Sequence, residues 1–95
     1  MAASVWRGRI TFGLVSIPVL LVKAADALHN TRSILTDYRH QGEQLWARFT
    51  GSKSETLWYV TALATTLKAR LPESRNVQEL ERVVAELKRA VSRTA

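Results

Sequence analysis

The chain contains no cysteine. That excludes a disulfide, a thiolate nucleophile and any thiolate-based metal centre, and it favours a cytoplasmic setting. Glycine is scarce as well. Gly8, Gly13, Gly42 and Gly51 stand apart from one another, so there is no glycine-rich loop to cradle a phosphate. The two histidines, His29 and His40, lack a paired ligand spacing, and no metal is expected. Asp37 and His40, with Ser33 or Thr36 nearby, supply the residue types of a hydrolytic triad. No nucleophile elbow or oxyanion loop accompanies them. These absences leave no seat for catalysis, for a cofactor or for a small-molecule substrate, and the expectation is a non-enzymatic protein.

Long apolar runs are also missing. The longest, residues 10–22 (ITFGLVSIPVLLV), is interrupted by Pro18 and is too short for a spanning helix. Arg7 and Arg9 before it, with Ala24, Ala25 and Ala27 after it, still imitate an export signal. A targeting segment over residues 4–27, in an exported or membrane-anchored protein, therefore stays open. Lys23 directly after the run argues against it. Acidic residues are in the minority, 8 against 14 Lys and Arg, for a net charge of +6 and a pI near 10.5. Such a balance favours polyanionic partners through phosphate neutralisation and counterion release. With 46% apolar and 23% charged residues over 95 positions, the composition is that of one small globular domain.

What the chain does have is a patterned N-terminus. Trp6, Gly8, Ile10, Phe12 and Leu14 share one parity, and Val5, Arg7, Arg9 and Thr11 share the other. Alternation of this kind predicts a strand over Val5 to Val15, with its aromatic and aliphatic row inward and both arginines outward. Residues two apart on a strand face are about 7 Å apart, close to the step between successive phosphates of a nucleic acid strand. Arg7 and Arg9 are thus candidate phosphate contacts, against the alternative of a solvated strand face. Ile17 to Val22 is apolar on both parities, as in a strand covered on both sides. Pro18 suits a strand start or an edge. The two runs together predict a strand pair over residues 4–23.

This segment resembles the opening of the bacterial Ku proteins, the DNA-end-binding factors of non-homologous end joining. The resemblance rests on Trp6, Gly8, Ile10, Phe12, Gly13, Leu14, Val15, Ile17, Pro18, Val19 and Leu21. It covers residues 4–25, about a fifth of the chain, and departs from the family at Leu20, where a basic residue is common. It implies a strand pair of Ku type and an association with double-stranded DNA and its repair. Ku closes a ring around DNA, and 95 residues are too few to build one.

Beyond residue 25 the pattern turns helical. Residues 23–30 read as a connector. A first helix is expected over 31–49 from Ile34, Leu35, Tyr38, Leu45, Trp46 and Phe49, with a weak spot at Gln41 and Gly42. Ser52 and Glu55 form a capping-box pair that starts a second helix over 53–71, ended by Pro72. Asn76 offers a cap for a third helix over 77–92. In it Leu80, Val84, Leu87 and Val91 step by 4, 3 and 4, a two-heptad seam that packs within the chain or pairs with a second copy. The expected fold is α+β: an N-terminal β-hairpin or strand pair on a three-helix array.

Two functional expectations lead. The first is a small basic DNA-binding protein whose phosphate contacts are Arg7, Arg9 and Lys23, joined by Arg82, Arg89 and Arg93. The bland alternative for the last three is a solvated helix face, since Glu79, Glu81 and Glu86 interleave with them. The second is a helical interaction module that homodimerises through Leu80, Val84, Leu87 and Val91. Trp46, Trp58 and Tyr59 serve as core in either case, or as interface anchors in the second. A further reading has the Ku-like opening grafted onto unrelated helices that hold the function.

Overall fold

The second expected strand is helical. The computed structural model describes residues 16–49 and 52–94. In it Ile17–Gln41 forms one long helix, α1, with Ser16 at the N-cap position and Pro18 in the first turn. Proline is favoured there because its missing N–H is one that the helix leaves unbonded anyway and its φ is already helical. The buried positions Leu20, Ala24, Ala27, Leu28, Thr31, Leu35 and Tyr38 recur at helical spacing along one stripe. An α+β fold with an N-terminal strand pair is therefore corrected: Ile17 to Val22 is helical, the residues 23–30 are no connector, and no strand occurs among the described residues. A segment apolar on both parities fits a helix with one buried stripe as well as a covered strand, and periodicity alone cannot separate them. The first expected strand, with Arg7 and Arg9, lies outside the described residues.

At the far end of α1 the expected helix over 31–49 breaks. Gly42 caps α1 at φ 62° and ψ −144°, a conformation that side chains with a Cβ rarely adopt. A 3₁₀ helix, Gly42–Arg48, follows. Glu43 fixes this turn. Its carboxylate accepts from the Tyr38 hydroxyl at 2.5 Å and from Lys53 Nζ at 3.0 Å. The Tyr38 hydrogen bond first, and then that from Lys53, hold the Glu43 carboxyl below its ordinary pKa. Tyr38, Trp46 and Phe49 stack in sequence, with ring centroids 5.6 and 5.9 Å apart.

Helix α2, Lys53–Arg70, starts with the capping box: Glu55 N–H donates to Ser52 Oγ at 3.1 Å and Ser52 N–H to Glu55 Oε1 at 3.2 Å. After the turn at Pro72, helix α3 runs over Arg75–Thr94. Its cap is Ser74, whose Oγ accepts from Val77 N–H at 3.3 Å, and not Asn76.

The three helices share one core. Leu20, Leu45, Leu67, Val77, Leu80 and Leu87 are fully buried, each stabilising by about 1.5–3 kcal/mol relative to exposure. Helix α3 packs against both of the others, whereas α1 and α2 meet least. Polar pairs fix the register. Arg32 pairs with Glu79 at 3.2 Å and Arg39 with Glu86 at 3.1 Å, so α1 and α3 run parallel. Lys68 pairs with Glu81 at 3.1 Å across the antiparallel α2–α3 hairpin. The described residues form a small, compact module of three α-helices.

Candidate functional site

Because α3 packs against both α1 and α2 while those two meet least, a groove opens between α1 and α2. Its volume is about 580 Å³, within the range of ligand and peptide clefts. Along α1 its wall carries Lys23, Asp26, Asn30, Ser33 and Asp37, at steps of 3, 4, 3 and 4, which is one helical face. By helix rise that row is about 21 Å long, or about four turns. The other wall is Thr56, Tyr59, Val60 and Leu63 of α2, and Phe49, Ile34 and Ala27 complete the apolar surface. The groove thus combines a polar row on α1 with apolar residues from both helices.

Among the described residues, the side chains of Lys23, Asp26, Asn30, Ser33 and Thr56 on its walls form no hydrogen bond or ion pair. Asp26 is exposed and forms no hydrogen bond or ion pair among the described residues. Thr56 is 4% exposed, and its hydroxyl is buried without a hydrogen bond. Such a group costs about 1–3 kcal/mol while unsatisfied. Thr31, in the same groove, differs: its hydroxyl donates to the Ala27 carbonyl at 2.8 Å. Asp37 is engaged by Arg48 at 2.9 Å, not by His40, whose Nδ1 lies 3.0 Å from the Thr36 carbonyl. The described residues hold no group of three His, Asp or Glu able to bind a metal.

The basic residues are scattered rather than gathered. Arg82 is occupied on both sides by Glu79, at 2.8 Å, and Glu86. Glu79 chiefly, then Glu86, hold the Arg82 guanidinium more firmly protonated, and Arg82 in turn lowers the Glu79 carboxyl pKa. Arg89 and Arg93 are exposed, and with Lys88 they form no ion pair among the described residues. These three follow the last acid of the chain, Glu86. Lys88, Arg89, Ser92 and Arg93 surround one shallow hollow at the end of α3. Lys23 is not with them. The Arg32–Glu79 register puts Lys23 about 35 Å along the bundle axis from Arg93. Arg7 and Arg9 lie outside the described residues.

Leu80, Val84, Leu87 and Val91, 0–5% exposed, are consumed in the core. Among the described residues, the exposed large apolar side chains are instead Ile17, Val19, Leu21 and Val22 at the start of α1, and Trp58. No described helix is long and apolar enough to cross a membrane.

Sequence reasoning missed the groove because it read residues 23–30 as a connector. The 3-4-3-4 spacing of Lys23, Asp26, Asn30, Ser33 and Asp37 was its visible signal. The pairing of Arg32 and Arg39 with Glu79 and Glu86 was likewise marked by two seven-residue intervals. The chain matches no protein-family model, no curated protein and no solved structure.

Proposed function

We propose that this protein is a helical interaction module whose α1–α2 groove receives an amphipathic helix of a partner protein. The observation that carries the proposal is the groove itself, which combines a polar row at heptad-like spacing on α1 with apolar residues from both helices. A helix laid along it would bury its apolar stripe against Tyr59, Val60 and Leu63 and turn its polar flank to α1. The test is titration of the full chain with a helical peptide of roughly 18 residues, read by calorimetry. Asn30 is exposed and lies on the polar row, so Asn30→Trp fills the groove without disturbing the core. Binding to the wild type and its loss in Asn30→Trp, with unchanged helicity by circular dichroism, is the expected result. Equal binding by both proteins overturns the proposal.

A second reading, association with nucleic acid, rests on a different surface. Lys88, Arg89 and Arg93 are the observation that favours it: three cations on an acid-free helix end, none in an ion pair among the described residues. Contacts of this kind would go to phosphates and would carry no sequence preference. The Ku resemblance lends this reading its choice of polyanion, duplex DNA.

A further inference from the structure

We propose that Ser92 is a phosphorylation site for an arginine-directed protein kinase, and that Lys88, Arg89 and Arg93 hold the phosphate once it is in place. The modification stands on its own. Its effect on polyanion binding rests on the second reading above.

Of all the serines and threonines in the chain, Ser92 is the one with an arginine three residues before it, Arg89, and Lys88 precedes that arginine. Thr56 has a lysine, Lys53, at the same offset but is buried. A kinase that selects basic substrates reads such a charge pattern with acidic groups of its own.

The fold presents the same residues together. Positions 88, 89, 92 and 93 of α3 are related by steps of one, three and four, so they share one face of the helix. Lys88, Arg89, Ser92 and Arg93 line one shallow hollow there. Ser92 is exposed, and its hydroxyl forms no hydrogen bond among the described residues. None of the three cations is in an ion pair among those residues. Val91 is the last buried residue of α3 among the described ones, so the turn that carries Ser92 has little packing to lose when it opens into a kinase cleft.

In the transfer, Ser92 Oγ attacks the γ-phosphorus of a nucleoside triphosphate. The Oγ–P bond forms and the bond from that phosphorus to the β–γ bridging oxygen breaks. The nucleoside diphosphate leaves, and the hydroxyl proton passes to a base of the kinase. The product carries a charge of about −1.5 to −2 near neutral pH. A helix C-terminus by itself disfavours an anion, with about half a unit of negative charge. Three full cations on the same face outweigh it, and the guanidinium groups of Arg89 and Arg93 would donate to the phosphate oxygens. The hollow would pass from three cations to a net charge of about +1, which weakens the surface a polyanion would use.

The full chain, treated with an arginine-directed serine kinase and radiolabelled ATP, is expected to take label at Ser92, located by mass spectrometry. Ser92→Ala should take none, and Arg89→Ala should be labelled about tenfold more slowly, both with unchanged helicity by circular dichroism. Labelling of Ser92→Ala equal to that of the wild type, or no label at Ser92, overturns the site. Equal rates for Arg89→Ala and the wild type overturn the selection by arginine. In the phosphorylated chain, phosphorus NMR should place the second ionisation of the phosphate below its ordinary value of about 6, and Arg93→Ala should bring it back up. An ordinary value in both overturns the capture by these cations. Phosphorylation should also weaken binding to duplex DNA at low salt by about tenfold. If the unmodified chain binds the duplex and phosphorylation leaves the affinity unchanged, the switch is overturned. If the unmodified chain binds no duplex, the nucleic-acid reading falls and the modification stands.

Discussion

Arg32 on α1 reaches across the bundle to place its Nη2 3.2 Å from Oε2 of Glu79 on α3. One heptad further along, Arg39 does the same to Glu86 at 3.1 Å. Arg82 lies between the two glutamates and pairs with both. A row of three arginines thus shares two carboxylates along the seam between parallel helices. The arrangement sets register, in the way flanking charges do in coiled coils. Each pair is exposed, so its direct contribution to stability is small and weakened by salt.

The pH response of this row follows from Glu79. Arg82 chiefly, with Arg32, holds its carboxyl below the ordinary value of 4.5. A group with a depressed folded pKa adds stability that is present above the unfolded value and is lost as pH falls through the folded one. Urea melts at about pH 6 and about pH 3 should therefore show the protein less stable in acid. Glu79→Gln should narrow that difference. An unchanged difference in the variant would remove Glu79 from the acid response.

Gly42→Ala should destabilise the protein even though no atom lies within 4 Å of the added Cβ. The cost comes from the backbone alone, φ 62° with ψ −144°, and should be about 1–3 kcal/mol in denaturant melts. A neutral effect would mean that the α1 terminus relaxes freely into another conformation.

Ser52→Ala removes the acceptor for Glu55 N–H and should cost about 0.5–2 kcal/mol. Hydrogen exchange locates the effect: the first-turn amides of α2 should lose protection, while those of α3 keep theirs.

Leu87→Ala should cost about 2–5 kcal/mol, because the side chain is fully buried. Leu87→Asp should unfold the chain. Size-exclusion chromatography at two concentrations separates this from a dimer seam. Loss of fold at every concentration is the signature of a residue consumed within one chain. A soluble, folded monomer would return Leu80, Val84, Leu87 and Val91 to a role between copies.

Duplex DNA at low salt tests the cationic end of α3. Arg89→Ala combined with Arg93→Ala should weaken any binding and lower the salt slope by about 2. Arg82→Ala should change it little, since Glu79 and Glu86 already occupy that guanidinium. Fluorescence anisotropy of a labelled duplex checks both. Equal losses in the two variants would contradict the division between engaged and available arginines.

Local chemistry was legible in the sequence. Ser52 and Glu55 announce the start of α2, and Pro72 its end, because capping and the missing proline N–H act within a few residues. The periodicity of Leu80, Val84, Leu87 and Val91 marked a buried face for the same reason: 3.6 residues per turn is a property of the chain alone. What the sequence left open was the state of Ile17 to Val22, which suits a strand or a helix until something packs on it. The core decided for a helix, by drawing Leu20, Ala24 and Ala27 onto one stripe. It also decided which seam partner Leu87 would have, and which arginines would be engaged, because Arg32 and Glu79 stand 47 residues apart. The groove is the furthest from the sequence. Residues of α1 and α2 come to line one cleft only because α3 packs on both helices and those two meet least, and no interval along the chain encodes that.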